Sequence, residues 1–362
     1  MPSVYNGRKL TLSVFGESHG EAIGVVIDGF PAGMRIDNDA LMTLMKRRAP
    51  GGALATARKE PDIPRILSGV SDGYTNGFPI CAVIENTNQR SSDYGKVTLP
   101  RPNHADYPAL LKYGEHTELH GGGHFSGRLT APLTFAGGLC AQYLKLHGVT
   151  IGAHIKRILN VSDSQFPNDI SPRELEGLRK KEIPTLDPMA SEAFTTIINS
   201  AKMRGDSVGA VIECAAVGLP AALGEHMFGS VESVISELCF AIPGVKGIEF
   251  GAGFDFAKLY GSQANDAYFY KNGKVMTETN NCGGIVGGMT TGMSLVFSVA
   301  MKPTPSIFME QDTVDLEKQE NAKLSIKGRH DPCIALRAVP VVESVAAAAL
   351  ADLMLESEPR KL

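Results

Sequence analysis

The amino-acid sequence predicts a mixed fold of strands and helices, α/β or α+β, and three observations carry the expectation. Segments of strand and helix character succeed one another along the chain, which excludes an all-helical bundle. The 362 residues are 43% hydrophobic and 20% charged, the balance of a chain that buries a substantial core. Three short stretches of the first half recur, in the same order, in the second.

Taken in order, residues 9–13 and 23–27 have strand character, the second closed by Asp28-Gly29-Phe30-Pro31. Residues 39–48 carry Leu41, Leu44 and Met45 at helical spacing, with Asp37 or Asn38 as the cap. A strand is expected at 79–85. A helix rich in Ala and Leu is expected at 132–146, with Pro132 suited to its first turn. Residues 163–190 are polar and proline-punctuated, an excursion holding one helix at 172–181. Beyond it, 192–202, 208–215, 232–240, 295–302 and 341–355 alternate between strand and helix character, and 356–362 is expected to fray.

The recurring stretches are specific. Gly24-Val-Val-Ile-Asp-Gly-Phe-Pro-Ala32 is similar to Gly209-Ala-Val-Ile212 followed by Gly218-Leu-Pro-Ala221. Gly69-Val-Ser-Asp-Gly-Tyr-Thr-Asn-Gly77 is similar to Gly284-Ile-Val-Gly-Gly-Met-Thr-Thr-Gly292. Arg128-Leu-Thr-Ala-Pro132 is similar to Arg337-Ala-Val-Pro340, and each opens an Ala-rich helix. Two copies of one unit, about 8–150 and 195–355 within a single domain of 1–362, account for this order. Coincidence among common strand-turn patterns is the alternative.

Composition also excludes classes of function. A net charge of -4, no Trp and 7% aromatic residues give no field or stacking platform for nucleic acid. Six cysteines without a Cys-x-x-Cys pair read as free buried thiols of a reducing compartment, and not as a disulfide framework or a zinc site. Residues 1–12 lack a signal-peptide layout. Residues 282–301 carry no charge but hold five glycines, so they read as a turn leading into a strand and not as a membrane span. A cytoplasmic protein without membrane or metal is expected.

Five clusters could carry chemistry. Phe15-Gly-Glu-Ser-His-Gly20 places a histidine between small residues where a ligand can approach closely. Ser18 and His19 are neighbours, which on an extended chain point apart, so a nucleophile–base pair is not expected of them. In Arg101-Pro-Asn-His-Ala-Asp-Tyr107, Asp106 could orient His104 as a proton donor near neutral pH. His120-Gly-Gly-Gly-His-Phe-Ser-Gly-Arg128 offers bare backbone N–H groups and one cation before a helix, as phosphate binding requires. Lys302-Pro-Thr-Pro-Ser306 presents donors on a stiff turn, and Gly328-Arg-His-Asp-Pro332 packs a cation, a base and a carboxylate together. Arg47, Arg48, Arg128, Arg329 and Arg337 lie near these loops and suit a small polyanion. The residues alone name no reaction.

These clusters, in order, resemble the chorismate synthase family over nearly the whole chain. Asp28-Gly29, Arg47-Arg48 with Pro50-Gly51, Asn86-Thr-Asn-Gln-Arg-Ser91 with Asp93-Tyr94, Gly218-Leu-Pro-Ala221, Val245-Lys-Gly-Ile-Glu-Phe-Gly251 and Arg337-Ala-Val-Pro340 complete the set. The resemblance implies an α+β fold, a β-α-β sandwich with an internal pseudo-two-fold repeat, assembled as a homotetramer. It implies a lyase that eliminates phosphate, 1,4 and anti, from 5-enolpyruvylshikimate 3-phosphate with reduced FMN. NADPH would enter only indirectly, through a separate flavin reductase, since the long insertions of bifunctional members are missing.

Position by position, the resemblance makes His104 the acid for the departing phosphate and His19 the partner of the reduced flavin's negative charge. Asp331 would help remove the substrate proton through the flavin. Ser18, Arg47, Arg48, Arg128 and Arg337 would bind substrate. His124, Phe125, Ser126, Pro243, Gly244, Gly287, Lys302, Pro303, Thr304, Pro305, Ser306 and Arg329 would contact the flavin. The chain departs from the family at His124 and Phe125, which stand where Arg and Ser are usual, and at Asn103, where Gly is usual. Arg58 would stand in for an arginine usual after Pro50-Gly51. Two other classes remain open: a non-catalytic flavin- or nucleotide-binding protein, and a Ser–His hydrolase.

Overall fold

Alternation of apolar and polar residues makes strands with one buried face, and two five-stranded antiparallel sheets result. The computed structural model describes residues 3–51, 54, 60–87, 98–326 and 330–357. The first half runs β1 (Val4–Asn6), β2 (Thr11–Gly16), β3 (Ala22–Asp28), α1 (Asn38–Arg48), β4 (Arg65–Ser68), the ribbon β5–β6 (Val70–Ser71, Tyr74–Thr75) and β7 (Ile80–Glu85). Helices α2 (Asp106–Tyr113) and α3 (Thr130–Leu146) end it.

The second half runs β8 (Thr150–Ile158), β9 (Val161–Ser162), α4 (Pro172–Leu178), α5 (Pro188–Met203), β10 (Ala210–Val217), α6 (Val231–Phe240) and β11 (Val245–Phe250). The short α7 (Gly261–Ala264), ribbons β12–β13 (Tyr268–Lys271, Lys274–Thr277) and β14–β15 (Ile285–Val286, Met289–Thr290), and strand β16 (Leu295–Met301) follow. Ribbon β17–β18 (Gln311–Asp315, Glu320–Leu324) and helix α8 (Ala335–Ser357) close the chain.

The sheet orders are β1-β2-β3-β7-β4 and β11-β16-β10-β8-β9. Helix α3 lies on β3 and β7 of the first sheet, α8 lies on β8 and β10 of the second, and the two helices pack on each other. The result is an α+β sandwich with its helices inside. Gly137 permits the helix contact, because a methyl group there would strike the backbone of Ser344. Helix α8 is long and apolar enough to cross a bilayer, but 94% of its apolar window is buried inside the protein. It is a core helix. Asp352 on α8 is fully buried and ties down the first sheet, accepting hydrogen bonds from the backbone N–H groups of Arg8, Lys9 and Leu10 at 2.7–2.9 Å.

The stretches that recur in sequence make matching contacts. Thr75 donates from Oγ1 to the carbonyl of Pro31 (2.7 Å) and accepts from the Met34 N–H (3.0 Å). Thr290 donates to Pro220 (2.6 Å) and accepts from Leu223 (2.9 Å). Strands β3 and β10 each lie third of five in their sheets.

Most expected elements are present with shifted ends. The helix at 132–146 starts at Thr130, the one at 192–202 starts at Pro188 with Asp187 as its cap, and that at 341–355 starts at Ala335. The helix expected at 172–181 ends at Leu178 after a Ser171–Glu174 capping box. The excursion 163–190 is fastened to β10 and β8 by buried charge. His154 lies 2.8 Å from Asp163 and 3.0 Å from Glu213, and burial, which lowers its pKa, is outweighed by these carboxylates. All six cysteines are free thiols, but Cys81 and Cys282 are only half-buried. Helix α2, strand β8 and ribbons β12–β13 and β17–β18 are not foreseen from the sequence.

Candidate active site

Three consecutive glycines build the centre of the site. Gly121, Gly122 and Gly123 all have positive φ (59°, 99° and 51°), a run that side chains would forbid. The turn they make lets two histidines approach from different parts of the chain. His19 packs on Gly121, where even a methyl group would collide with Cε1 and Nδ1 of its ring. His104 lies over Gly122, its Nε2 3.4 Å from where a methyl group would stand. Both histidines line one large cavity of about 1530 Å³.

His104 is oriented by a carboxylate. Its Nδ1 lies 2.7 Å from Asp106 Oδ1, and a carboxylate only accepts, so Nδ1 carries the proton and Nε2 is left for a ligand. Arg101 grips the same carboxylate from Nε and Nη2, both at 2.7 Å. Burial raises the Asp106 pKa, but the hydrogen bonds from Arg101 and His104 outweigh it and hold the carboxyl well below the usual range. Asp106 therefore stays ionised and accepts from both Arg101 and the His104 ring. Arg101 lines the cavity, and nothing in its local sequence assigns it a role there.

Ser18 and His19 do meet, contrary to expectation. The chain turns at 18–20 instead of running extended, and Ser18 Oγ lies 3.2 Å from His19 Nδ1. The hydroxyl is fully buried and donates to the carbonyl of His120 at 3.1 Å. It orients the imidazole and is inaccessible as a nucleophile, which argues against a Ser–His hydrolase.

An arginine cluster forms the polar floor. Arg48 is 1% exposed and donates from Nε to Thr130 Oγ1 (3.1 Å), from Nη1 to Asp62 (2.5 Å) and from Nη2 to the Gly127 carbonyl (3.0 Å). Arg128 donates to Asp62 and, at 2.9 Å, to Asn86 Oδ1. Arg337 donates to Asp331 Oδ2 (2.7 Å) and to the Arg48 carbonyl (3.1 Å). Burial, then the charges of Arg337 and Arg128, bring the Arg48 pKa down to about 9 against the pull of Asp62. A bound anion would relieve that repulsion.

Loops from the second half complete the wall. Pro243, Gly244 and residues Lys302 to Ser306 line the cavity, with the Lys302 N–H donating to the Gly244 carbonyl at 2.9 Å. Lys302 Nζ donates to the Asn103 carbonyl, and Ser306 Oγ lies 3.4 Å from Arg101 Nη1. Asp331 and His330 also line it. Burial and the charges of Arg101 and His104 bring the His330 pKa down to about 4, so this ring is neutral at physiological pH.

Some expected site residues stand elsewhere. Arg47 does not line the cavity. It makes a two-pronged pair with Glu343 of α8, at 2.6 and 2.9 Å, because that buried carboxylate needs a counter-charge. Gly287 sits in the turn of β14–β15, away from the cavity wall. Both ring nitrogens of His124 are engaged, Nδ1 donating to the Gly16 carbonyl (2.8 Å) and Nε2 paired with Ser3 Oγ (2.6 Å), so it offers the cavity only its ring. Phe125 lines the wall with its ring 6.1 Å from that of Tyr113, and Ser126 caps the turn before α3 by accepting from the Arg128 N–H. Arg329, Arg58 and residues 88–94 lie outside the described residues, as do 358–362 of the expected frayed end.

Replacing Arg47 by Ala should therefore destabilise the fold, by about 3 kcal/mol, the low end for removing one partner of a buried pair. The KM for substrate should hardly change. Thermal melts and steady-state kinetics separate the two, and a large rise in KM at unchanged stability would return Arg47 to the site.

The cavity has room for a flavin beside a second ligand. Its volume exceeds the roughly 300–1,000 Å³ of a single-ligand site. Thr117 Oγ1, Thr304 Oγ1 and His330 Nε2, all from wall residues, are buried without a hydrogen-bond partner among the described residues. Buried polar atoms of this kind need partners that a ligand or water supplies.

A family model described as chorismate synthase matches residues 10–355. The chorismate synthase of Thermococcus kodakarensis is 45% identical over 350 residues, covering 96% of this chain and 97% of that protein. That of Lancefieldella parvula is 42% identical over 359 residues, covering 96% and 94%. A solved structure titled "Crystal Structure of Chorismate Synthase" superposes with a TM-score of 0.76 at 27% identity, covering 97% of this chain and 93% of that one. With family, sequence relatives and fold in agreement, the chain belongs to the chorismate synthase family, flavin-dependent lyases that eliminate phosphate from 5-enolpyruvylshikimate 3-phosphate to give chorismate.

Proposed function

We propose that His104 acts as the acid for phosphate departure in this elimination, with His19, Asp331 and the arginine floor completing the site. One observation carries the reading: two histidines pack on a single triglycine turn and face three buried or half-buried arginines across one cavity. As an imidazolium, His104 keeps its Nδ1 proton against Asp106 and gives its Nε2 proton to the leaving oxygen, ending as the neutral ring. Neutralising the departing phosphate there removes the main obstacle to C–O cleavage. Arg48, Arg128 and Arg337 match the planar carboxylates and the phosphate of the substrate.

Pro243, Gly244, Thr304 and the Phe125 ring, with His19 at the edge, would hold reduced FMN. When bound, reduced FMN lends electron density to the breaking C–O bond and recovers it as the C–H proton leaves. His19, oriented by Ser18, balances negative charge at that edge. Asp331, 7% exposed and fixed by Arg337, holds the released proton. Arg337 thus serves both the substrate and the base.

NADPH acts only indirectly, through a separate flavin reductase. The exposed rings of Phe254, Tyr260, Tyr268 and Tyr270 support assembly as a homotetramer, and six free thiols support a cytoplasmic setting. Matching Thr75 and Thr290 contacts support two pseudo-repeats within one domain.

The test is anaerobic turnover of 5-enolpyruvylshikimate 3-phosphate with chemically reduced FMN, read as chorismate formation, together with FMN titrations. Turnover should require reduced FMN. Oxidised FMN should bind more tightly when substrate is present, because the anionic substrate closes a shared site. Turnover with oxidised FMN alone, or equal FMN affinity with and without substrate, would count against this arrangement.

A further inference from the structure

Behind the arginine floor lies a carboxylate that does not itself line the cavity. Asp62 is 1% exposed, and its side chain is wholly buried. One oxygen takes Arg48 Nη1 at 2.5 Å and the other takes Arg128 Nη1. Asp62 thus bridges the two arginines, one on each oxygen. Its backbone has φ 48°, a left-handed conformation unfavourable for a residue with a side chain, so the surrounding structure holds it there. Glu60 Oε2 lies 3.2 Å from Arg128 Nη1 as a second counter-charge, and neutral groups hold the rest of each guanidinium. Thr130 and the Gly127 carbonyl fix Arg48, and Asn86 and the Glu85 carbonyl fix Arg128.

We infer that Asp62 is a positioning residue for substrate: it clasps Arg48 and Arg128 at a fixed separation and orientation, so that the pair reads the spacing between two anionic groups of one molecule. The inference rests on the proposed function, in which these arginines bind a substrate carrying one phosphate and two carboxylates. Two like charges as close as these would otherwise repel and turn apart. A shared counter-ion offsets the repulsion and holds both guanidinium groups, which line the cavity, in fixed planes. A single small anion can be met by either arginine alone, and so does not need the clasp. A polyanion with groups at set positions does.

The test uses Asp62→Asn and Asp62→Gly, since Asn and Gly both tolerate positive φ and Gly relieves it outright. Binding of substrate and of inorganic phosphate is measured by calorimetry on the full-length enzyme, and kcat is measured anaerobically with reduced FMN. Substrate Kd should rise ~10–100-fold, as expected when charged hydrogen bonds lose their alignment. Phosphate Kd should stay level or fall, because the arginine pair gains one net positive charge. At saturating substrate, kcat should stay within ~3-fold, as for a residue that acts on binding.

Unchanged substrate affinity overturns the inference. So does a parallel weakening of both ligands, or a loss confined to kcat. Should Asn disturb the fold, seen as a lowered melting temperature, the Gly variant gives the reading. Because binding is measured without turnover, a wild-type enzyme that binds substrate but makes no chorismate defeats the proposed function while leaving the role of Asp62 decided.

Discussion

His104→Ala should lower turnover ~10²–10⁴-fold, the usual cost of removing a general acid, and should leave substrate affinity nearly unchanged. The expectation follows from how the ring is held. Its Nδ1 proton is committed to Asp106, and Arg101 keeps that carboxylate ionised, so the proton that the imidazolium delivers leaves from Nε2. In the proposed arrangement the substrate's charged groups fall to Arg48, Arg128 and Arg337, none of which touches the imidazole through a hydrogen bond among the described residues. The fold should survive, because His104 lies in a loop ahead of α2 and not on a packed helix face. Anaerobic kinetics and a thermal melt test this. A variant with wild-type turnover would remove His104 from the chemistry, and one with a raised KM at unchanged kcat would make it a binding residue.

The sequence made the loops more legible than the packing. Glycine and proline mark where side chains can meet a ligand, so His19, His104, Lys302 to Ser306 and Asp331 stand out without any three-dimensional information, and all line the cavity. Arg47 and Arg48 show where such reading stops. Consecutive residues on a helix point about 100° apart. Only Arg48 faces the cavity, while Arg47 meets Glu343 on a helix nearly three hundred positions later. Nothing local distinguishes them. Asp62 was invisible for a similar reason: its significance is that two arginines, one on α1 and one just before α3, converge on it. Ser18 and His19 failed in the opposite direction. Neighbouring side chains point apart only on an extended backbone, and the chain leaves β2 two residues before Ser18. Helix α2 is not foreseen because Arg101-Pro-Asn-His reads as a turn, and the helix begins just beyond it, at Asp106, whose carboxylate accepts from Arg101.

Gly121→Ala should cost nearly as much activity as deleting His19, although the added group is only one methyl. Two physical effects combine. At φ 59° an alanine is held in a left-handed conformation that costs roughly 1–2 kcal/mol. More important, the methyl carbon would overlap Cε1 and Nδ1 of His19. The ring cannot shift and keep its place, because Nδ1 is paired with Ser18 Oγ, which is itself fixed on the His120 carbonyl. The imidazole must swing away from the cavity edge. Misplacing a catalytic group by about 1 Å can cost ~10²-fold in rate, so a fall of that size is expected with only a modest drop in melting temperature. A double-mutant cycle with His19→Ala decides whether the glycine acts through the histidine. If it does, adding Gly121→Ala to an enzyme already lacking His19 should cost stability but little further turnover. If the methyl group slows that enzyme as much as it slows the wild type, the triglycine turn serves the site in some way other than seating His19.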